Sequence, residues 1–303
     1  MAETSPGHDG EAVYTLAHIS DIHLAPLPPA HVLDLCSKRI TGYLNWQRKR
    51  RFVHDPAVLG TIVADLKAQG PDHIAVTGDI ANIGLEAEYA AGRGFLDALG
   101  KPEQVSFVPG NHDIYVAECG RFAARAWGPF MAGDAGETLP YVRRRGPLAI
   151  IGLSSGVPTA PFQATGELGD SQIGALATLL DRMRSEQLFR VVLIHHPPVS
   201  DAPAYKRLTD AGAFMRVIAQ HGAELILHGH DHCDMLNFIE GPNGARVPAV
   251  GVPSASATPG LDKDNAGYHL YCIDGAAGAW RCEMTVRGMG EDGVVKEVKR
   301  VML

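Results

Sequence analysis

Short apolar runs rich in β-branched residues recur along this chain, and most stop abruptly at a polar turn. Residues 14–19 alternate in polarity and give way to Ser20-Asp21-Ile22-His23, and 73–76 stop at Thr77-Gly78-Asp79. The run 105–108 stops at Pro109-Gly110-Asn111-His112-Asp113, and 148–153 at Ser154-Ser155. The run 191–194 stops at His195-His196-Pro197-Pro198, and 225–227 at His228-Gly229-His230-Asp231-His232. Runs of this length and composition, bounded by turn formers, predict strands. Between them, 56–69, 86–99, 171–186 and 210–221 repeat apolar residues every three or four positions and predict helices. Ser171 is the expected N-cap of the third, and Gly70 and Gly222 are expected to close the first and the last. Continuous apolar strands alternating with helices indicate an α/β architecture. Later the texture changes: 268–273 and 279–286 read as strands joined by a Gly-rich turn. In the second, Cys282, Met284 and Val286 share one face while Arg281, Glu283, Thr285 and Arg287 share the other, the pattern of a half-exposed antiparallel strand. Without internal repeats or a low-complexity linker, 13–303 reads as a single domain and the polar residues 1–12 as a disordered tail.

Composition narrows the class. The 303 residues are 46% hydrophobic and 20% charged, ordinary for a globular protein, and the net charge of −7 disfavours a nucleic-acid partner. The five cysteines are scattered and form no C-x-x-C pair, which points to mostly buried thiols in a reducing compartment. The first residues offer no apolar stretch for a signal segment, and no run of apolar residues is long enough to span a bilayer. The expectation is therefore a cytoplasmic protein.

Histidine changes the picture: there are 14, several clustered where the apolar runs end. In open α/β folds ligands gather at the carboxyl ends of strands. Five of the six runs end in metal-capable groups: Asp21 and His23, Asp79, Asn111 and His112, His195 and His196, His230 and His232. In extended chain, the D-x-H and H-x-H spacing projects both side chains to one side. Gly78, Gly110 and Gly229 suit turns where backbone passes close to ligands. Imidazoles, carboxylates and one amide suit Mn2+, Fe2+/Fe3+ or Zn2+ better than Ca2+. The number of ligands exceeds the needs of one ion and fits two ions bridged by a carboxylate, about 3.5–4 Å apart. Of the His195–His196 pair, His195 directly ends its run and is the expected ligand, with His196 in support. His18, His73 and His228 are expected to be structural. His31, His54, His221 and His269 have no expected role, though a later loop could bring His269 to the site.

The order D-x-H, G-D, G-N-H-D, H-H-P-P, G-H-x-H, spread over residues 13–275, resembles the calcineurin-like metallophosphoesterase superfamily. The resemblance implies a four-layer α/β/β/α sandwich with two mixed sheets and a bimetal site, the 268–287 hairpin belonging to the second sheet. It implies that Asp21, His23, Asp79 and His232 hold one metal, and that Asp79 bridges to a second completed by Asn111, His195 and His230. A metal-bridging hydroxide would attack phosphorus, and His112 would stabilise or protonate the leaving oxygen, with Asp113 either orienting it or, like Asp231, merely capping a turn. The H-H-P-P block is most similar to the branch acting on phosphodiesters, including cyclic nucleotides and glycerophosphodiesters. Two alternatives stand beside it: a pyrophosphatase of a nucleotide-linked lipid precursor, and a non-catalytic metal-bound scaffold.

Substrate choice falls to a less regular part of the chain. A basic, cap-like insertion at 27–55 interleaves Lys38, Arg39, Arg48, Lys49, Arg50 and Arg51 with Leu35, Ile40, Tyr43, Leu44 and Trp46. Residues 38–51 read either as a solvated helical face with some core anchors or as a basic amphipathic helix that grips a second anionic group of the small phosphoester substrate or docks on an anionic membrane surface. Docking would place the protein peripherally on the inner membrane face. A homo-oligomer is compatible with the sequence.

Overall fold

The computed structural model describes residues 13–303, so the expected tail at 1–12 lies outside them. The chain runs β1 (Tyr14–Ile19), α1 (Arg39–Asn45), α2 (Arg51–Val53), α3 (Pro56–Ala68), β2 (His73–Val76), α4 (Glu86–Leu99), β3 (Val105–Phe107) and α5 (Cys119–Trp127). It continues through β4 (Tyr141–Arg145), β5 (Leu148–Gly152), α6 (Gly169–Ser185), β6 (Phe189–Leu193), α7 (Ala211–His221), β7 (Leu225–His228), β8 (Met235–Glu240) and β9 (Arg246–Gly251). Three strands close it: β10 (Gly267–Asp274), β11 (Arg281–Met289) and β12 (Val295–Met302).

Two six-stranded mixed sheets result, ordered β12-β11-β10-β1-β2-β3 and β4-β5-β6-β7-β9-β8. Strands β1, β2 and β3 are parallel, as are β5, β6, β7 and β9, while the outer strands are antiparallel. The two-residue period of a strand explains the layering. Leu148 and Ile150 of β5 join one core with Leu16, Ile74, Ile62 and Leu96, whereas Ala149 and Ile151 join a second with Leu176, Leu180 and Phe214. The first core therefore lies between the sheets and under α3 and α4, and the second lies between the other sheet and α6 and α7. The expected 268–287 hairpin falls in the first sheet and not the second. Its β10 pairs antiparallel with β1, placing Leu16 opposite Tyr271.

Local chemistry sets the helix ends. Asp55 accepts the backbone N–H of Ala57 and Pro56 sits at the first turn of α3, while Gly70 follows the helix at φ +63°. Helix α6 starts at Gly169, two residues before the expected cap Ser171. The carboxylate of Asp210, brought by the chain before α7, accepts the N–H groups of Leu168 and Gly169 and supplies the cap from a distance. The five cysteines are free; Cys119 and Cys282 are buried, but Cys36 is exposed, so burial of thiols is less general than expected. Among the described residues no helix is long and apolar enough to cross a membrane.

Candidate metal centre

The parallel strands β1, β2 and β3 of one sheet and β6 and β7 of the other end at one place, which brings all five motif blocks together. The blocks are not extended there: Asp21, His23, Asp79, His230 and His232 have φ of 52°, 41°, 57°, 72° and 54°. The same-side argument from extended geometry is thus replaced by left-handed kinks, a conformation that costs non-glycine residues about 1–3 kcal/mol each. Paired loops hold those kinks. Asp21 N–H donates to Gly78 O at 3.0 Å and His23 N–H to Asp79 O at 2.9 Å. Gly78, at φ +99°, could carry no side chain, because a Cβ would lie 2.6 Å from Gly110 N.

Each imidazole presents one nitrogen and anchors the other. His23 Nδ1–H donates to Ala81 O (3.2 Å), His195 Nδ1–H to Thr77 O (2.6 Å) and His232 Nδ1–H to Asp262 Oδ2 (2.6 Å). His230 is reversed: Nε2–H donates to Lys206 O at 2.9 Å, leaving Nδ1 2.9 Å from Asn111 Oδ1. Anchoring one ring nitrogen on an acceptor turns the other lone pair inward, the arrangement metal-binding histidines use. Asp79 Oδ2 lies 3.9 Å from His23 Nε2 and 3.4 Å from His195 Nε2, and Asp21 Oδ1 lies 3.3 Å from His232 Nε2. Asp21 Oδ1 is buried with no hydrogen bond, a costly condition that a cation would relieve. Candidate ligand atoms gather in three groups, Asp21–His23–His232, Asp21–Asp79–His195 and His195–His196–His230. The residues present therefore fit metal ions. His196 commits Nδ1 to Ser155 Oγ at 2.7 Å, and its Nε2 lies 3.3 Å from Ala164 O, so it braces His195 and His230.

The electrostatics divide the four imidazoles into two pairs. Burial lowers the pKa of His23 and His230 well below the usual imidazole value, keeping their lone pairs free. Burial acts the same way on His195 and His232, but Asp79 and Asp21 override it and hold each at about 9. The two carboxylates thus draw positive charge to this spot.

Asp113 does not orient His112. Its fully buried carboxylate accepts four backbone N–H groups, from Asp79, Ile80, Ala81 and Gly110, at 2.7–2.9 Å. It ties the Asp79 loop to the Asn111 loop. His112 is oriented by the Asn82 carbonyl, which accepts from Nδ1–H, and its ring stacks on Tyr115 at 5.6 Å. Burial and the nearby Arg50 charge pull its pKa down to about 3.

His269 does not approach from a loop. It lies buried on β10, 3.4 Å from Asp234, away from the cluster. The approaching histidine is His54, whose ring is 4.5 Å from His23 and whose Nδ1 pairs with Ser256 Oγ at 2.9 Å. Asp262, the acceptor for His232, comes from a loop with no motif around it. The basic segment also turns inward: Arg39 is buried and reaches Gly84 O, Lys38 Nζ donates to Gln163 O, and Arg50 points into the centre.

A fold with two mixed sheets and a His/Asp cluster at their shared end defines a metallophosphoesterase. The chain belongs to the calcineurin-like phosphoesterase family, which it matches over residues 14–234, a family of metal-dependent phosphoester hydrolases. It is 30% identical over 226 residues to a cAMP/cGMP dual specificity phosphodiesterase of Mycobacterium tuberculosis, covering 72% of this chain but only 62% of that protein, less than two thirds of its length. It is also 30% identical over 280 residues to a Synechococcus protein named as a probable cyclic nucleotide phosphodiesterase, covering 89% of this chain and 91% of the relative. In fold it is similar to a dimetal phosphatase from Danio rerio, with a TM-score of 0.62 at 14% identity over 96% of this chain and 98% of the other.

Proposed function

We propose that this protein is a binuclear metal-dependent phosphodiesterase whose substrates are small phosphodiesters, cyclic nucleotides among them. The observation that carries the reading is the Asp79 carboxylate, whose Oδ2 is within 4 Å of imidazole nitrogens from both ligand sets. Asp21, His23, Asp79 and His232 would hold one ion, and Asp79, Asn111, His195 and His230 the other. Bound there, the pair would supply Lewis-acid charge and lower the pKa of a water to near neutrality. The protein's own groups do the rest. The loops tied by Asp113 fix the spacing of the ligands. His112 faces the leaving oxygen with Nε2, its tautomer set by the Asn82 carbonyl. An anionic phosphoryl group beside it offsets the Arg50 charge and lets the imidazole carry the proton that the leaving oxygen takes. Residues 13–303 act as one domain in this reading. The two relatives named for cyclic nucleotides support the diester class.

Purified protein should contain nearly two transition-metal ions per chain and should hydrolyse an aryl diester and cyclic nucleotides faster than monoesters. One tightly held ion, or a panel on which only monoesters turn over, would remove the binuclear diesterase reading.

A second reading concerns location. Val32 and Leu33 are 81% and 84% exposed, Phe52, Ile40 and Leu44 are also open to solvent, and Arg48, Lys49 and Arg51 are exposed in the same segment, with the Arg51 guanidinium 4.5 Å from the Phe52 ring centre. Apolar side chains beside cations suit docking on an anionic bilayer. Vesicles containing an anionic lipid should retain the protein, and Arg48→Ala/Lys49→Ala/Arg51→Ala should release it. No retention of the unmodified protein ends the idea.

A further inference from the structure

We propose that Arg50, delivered by the helical turn between α1 and α2, grips the phosphoryl group in this centre, an inference that rests on the phosphoester reading of the site. The backbone between α1 and α2 is a π-helical turn over Trp46–Arg50. Such widened turns are rare and are frequently found at functional sites. Here the turn is pinned at one end by Trp46, 4% exposed in the core, and delivers Arg50 inward at the other.

The guanidinium has an unusual set of partners. NH1 donates to His112 Nε2 at 2.8 Å and NH2 to His23 Nε2 at 2.7 Å. All its hydrogen bonds among the described residues go to imidazole nitrogens. The carboxylates of Asp79, Asp21 and Asp262 attract it from beyond direct ion-pair distance, against the cost of burial. Of the buried arginines, Arg39 is neutralised by Glu118 at 2.7 Å and Arg190 by Glu224 at 2.6 Å, while Arg143 spends its N–H groups on the backbone carbonyls of residues 102, 105, 129 and 132; Arg50 has neither kind of partner. Arg50 is held over the centre with its charge uncommitted. A planar fork of N–H donors matches two oxygens of a phosphoryl group, and such charge-assisted pairs are the strong ones. The His23 lone pair can serve either Arg50 or a metal, and His112 Nε2 either Arg50 or the leaving oxygen, so the two contacts mark where the guanidinium is held and not what it grips once substrate is bound. A cavity of about 300 Å3 opens on Arg50, His112, Lys38 and Tyr115, giving an anion room to reach the fork.

The test uses inorganic phosphate as probe, with metal content and binding measured on the metal-loaded protein by elemental analysis and calorimetry, independently of turnover. Arg50→Ala should keep its metal content and bind phosphate about ten- to a hundredfold more weakly. Arg50→Lys should recover only part of that, because an ammonium lacks the fork. Arg50→Gln, which keeps donors without charge, should resemble Arg50→Ala and guards against loss of packing in the alanine variant. Unchanged phosphate affinity in Arg50→Ala, loss of metal from all three variants, or no phosphate binding by the unmodified protein would each overturn the proposal. If phosphate binding depends on Arg50 while no phosphoester is hydrolysed, Arg50 keeps its role and the diesterase reading falls.

Discussion

Asp113 shows how one side chain can matter to a site it does not enter. Its carboxylate gathers four N–H donors from two loops, and those loops carry Asp79 and Asn111. Hydrogen bonds to a charged group are worth about 1.5–3 kcal/mol each, and buried donors left unpaired cost more than the bond returned. Asp113→Ala should therefore lower the unfolding free energy by about 3 kcal/mol or more. It should also reduce metal content, measured on the same preparation. A variant within about 0.5 kcal/mol of the parent, the range of ordinary surface changes, would show that the loops hold themselves. At this scale the sequence was legible where chemistry clusters. Asp21, His23, Asp79, Asn111, His195, His230 and His232 all stand at strand ends beside turns. Asp262 was not, because an aspartate in a Gly/Asp-rich loop looks the same whether or not it meets His232 in space. Nor was the part played by Arg50, since six cations share one segment and nothing in the pattern singles out one of them.

Among the elements, those with a buried stripe were the readable ones. Strands β2, β5, β6 and β7 are buried on both faces and announce themselves as continuous apolar runs. Strand β12 went unread because nearly every residue is exposed and its lysines, glutamate and arginine follow no two-residue alternation; it is a charged sheet edge. Helix α3 is fixed to the first sheet by more than its apolar face. Asp65 takes Arg287 Nε at 2.7 Å and NH2 at 2.9 Å, and Tyr268 donates to the same carboxylate at 2.5 Å. Arg287 and Tyr268 lie on β11 and β10, so one carboxylate joins a helix to a hairpin more than two hundred positions away in the chain. Asp65→Ala should destabilise the fold by about 1.5–3 kcal/mol in equilibrium unfolding, leaving metal content intact. Loss of metal with unchanged stability would contradict this division of labour.

Taken as a whole, the molecule buries histidines that serve no ligand role, and these give its stability a dependence on pH. His73, on β2, bonds Ser106 Oγ at 2.8 Å, and burial, with Arg145 and Arg143 nearby, pulls its pKa down to about 3. In the unfolded chain the same imidazole titrates near 6.5. Between those values the unfolded state binds the extra proton, so stability present above about pH 6.5 is lost as pH falls towards 3. Each pH unit in that window costs about 1.4 kcal/mol. His73→Asn should flatten the slope of unfolding free energy against pH by about one proton's worth over this window. An identical slope in the variant would assign the acid sensitivity elsewhere.

The centre lies at the meeting of two sheets: Asp21, His23, Asp79 and Asn111 follow strands of the first, and His195, His230 and His232 follow strands of the second. An ion held by both sets is a rivet as well as a reagent. During synthesis the first half of the chain can offer only an incomplete ligand set, and tight capture of metal waits until residue 232 has emerged and β7 has docked beside β6. Metal loading would then follow the meeting of the two sheets and add a cross-link to the apolar core packed between them.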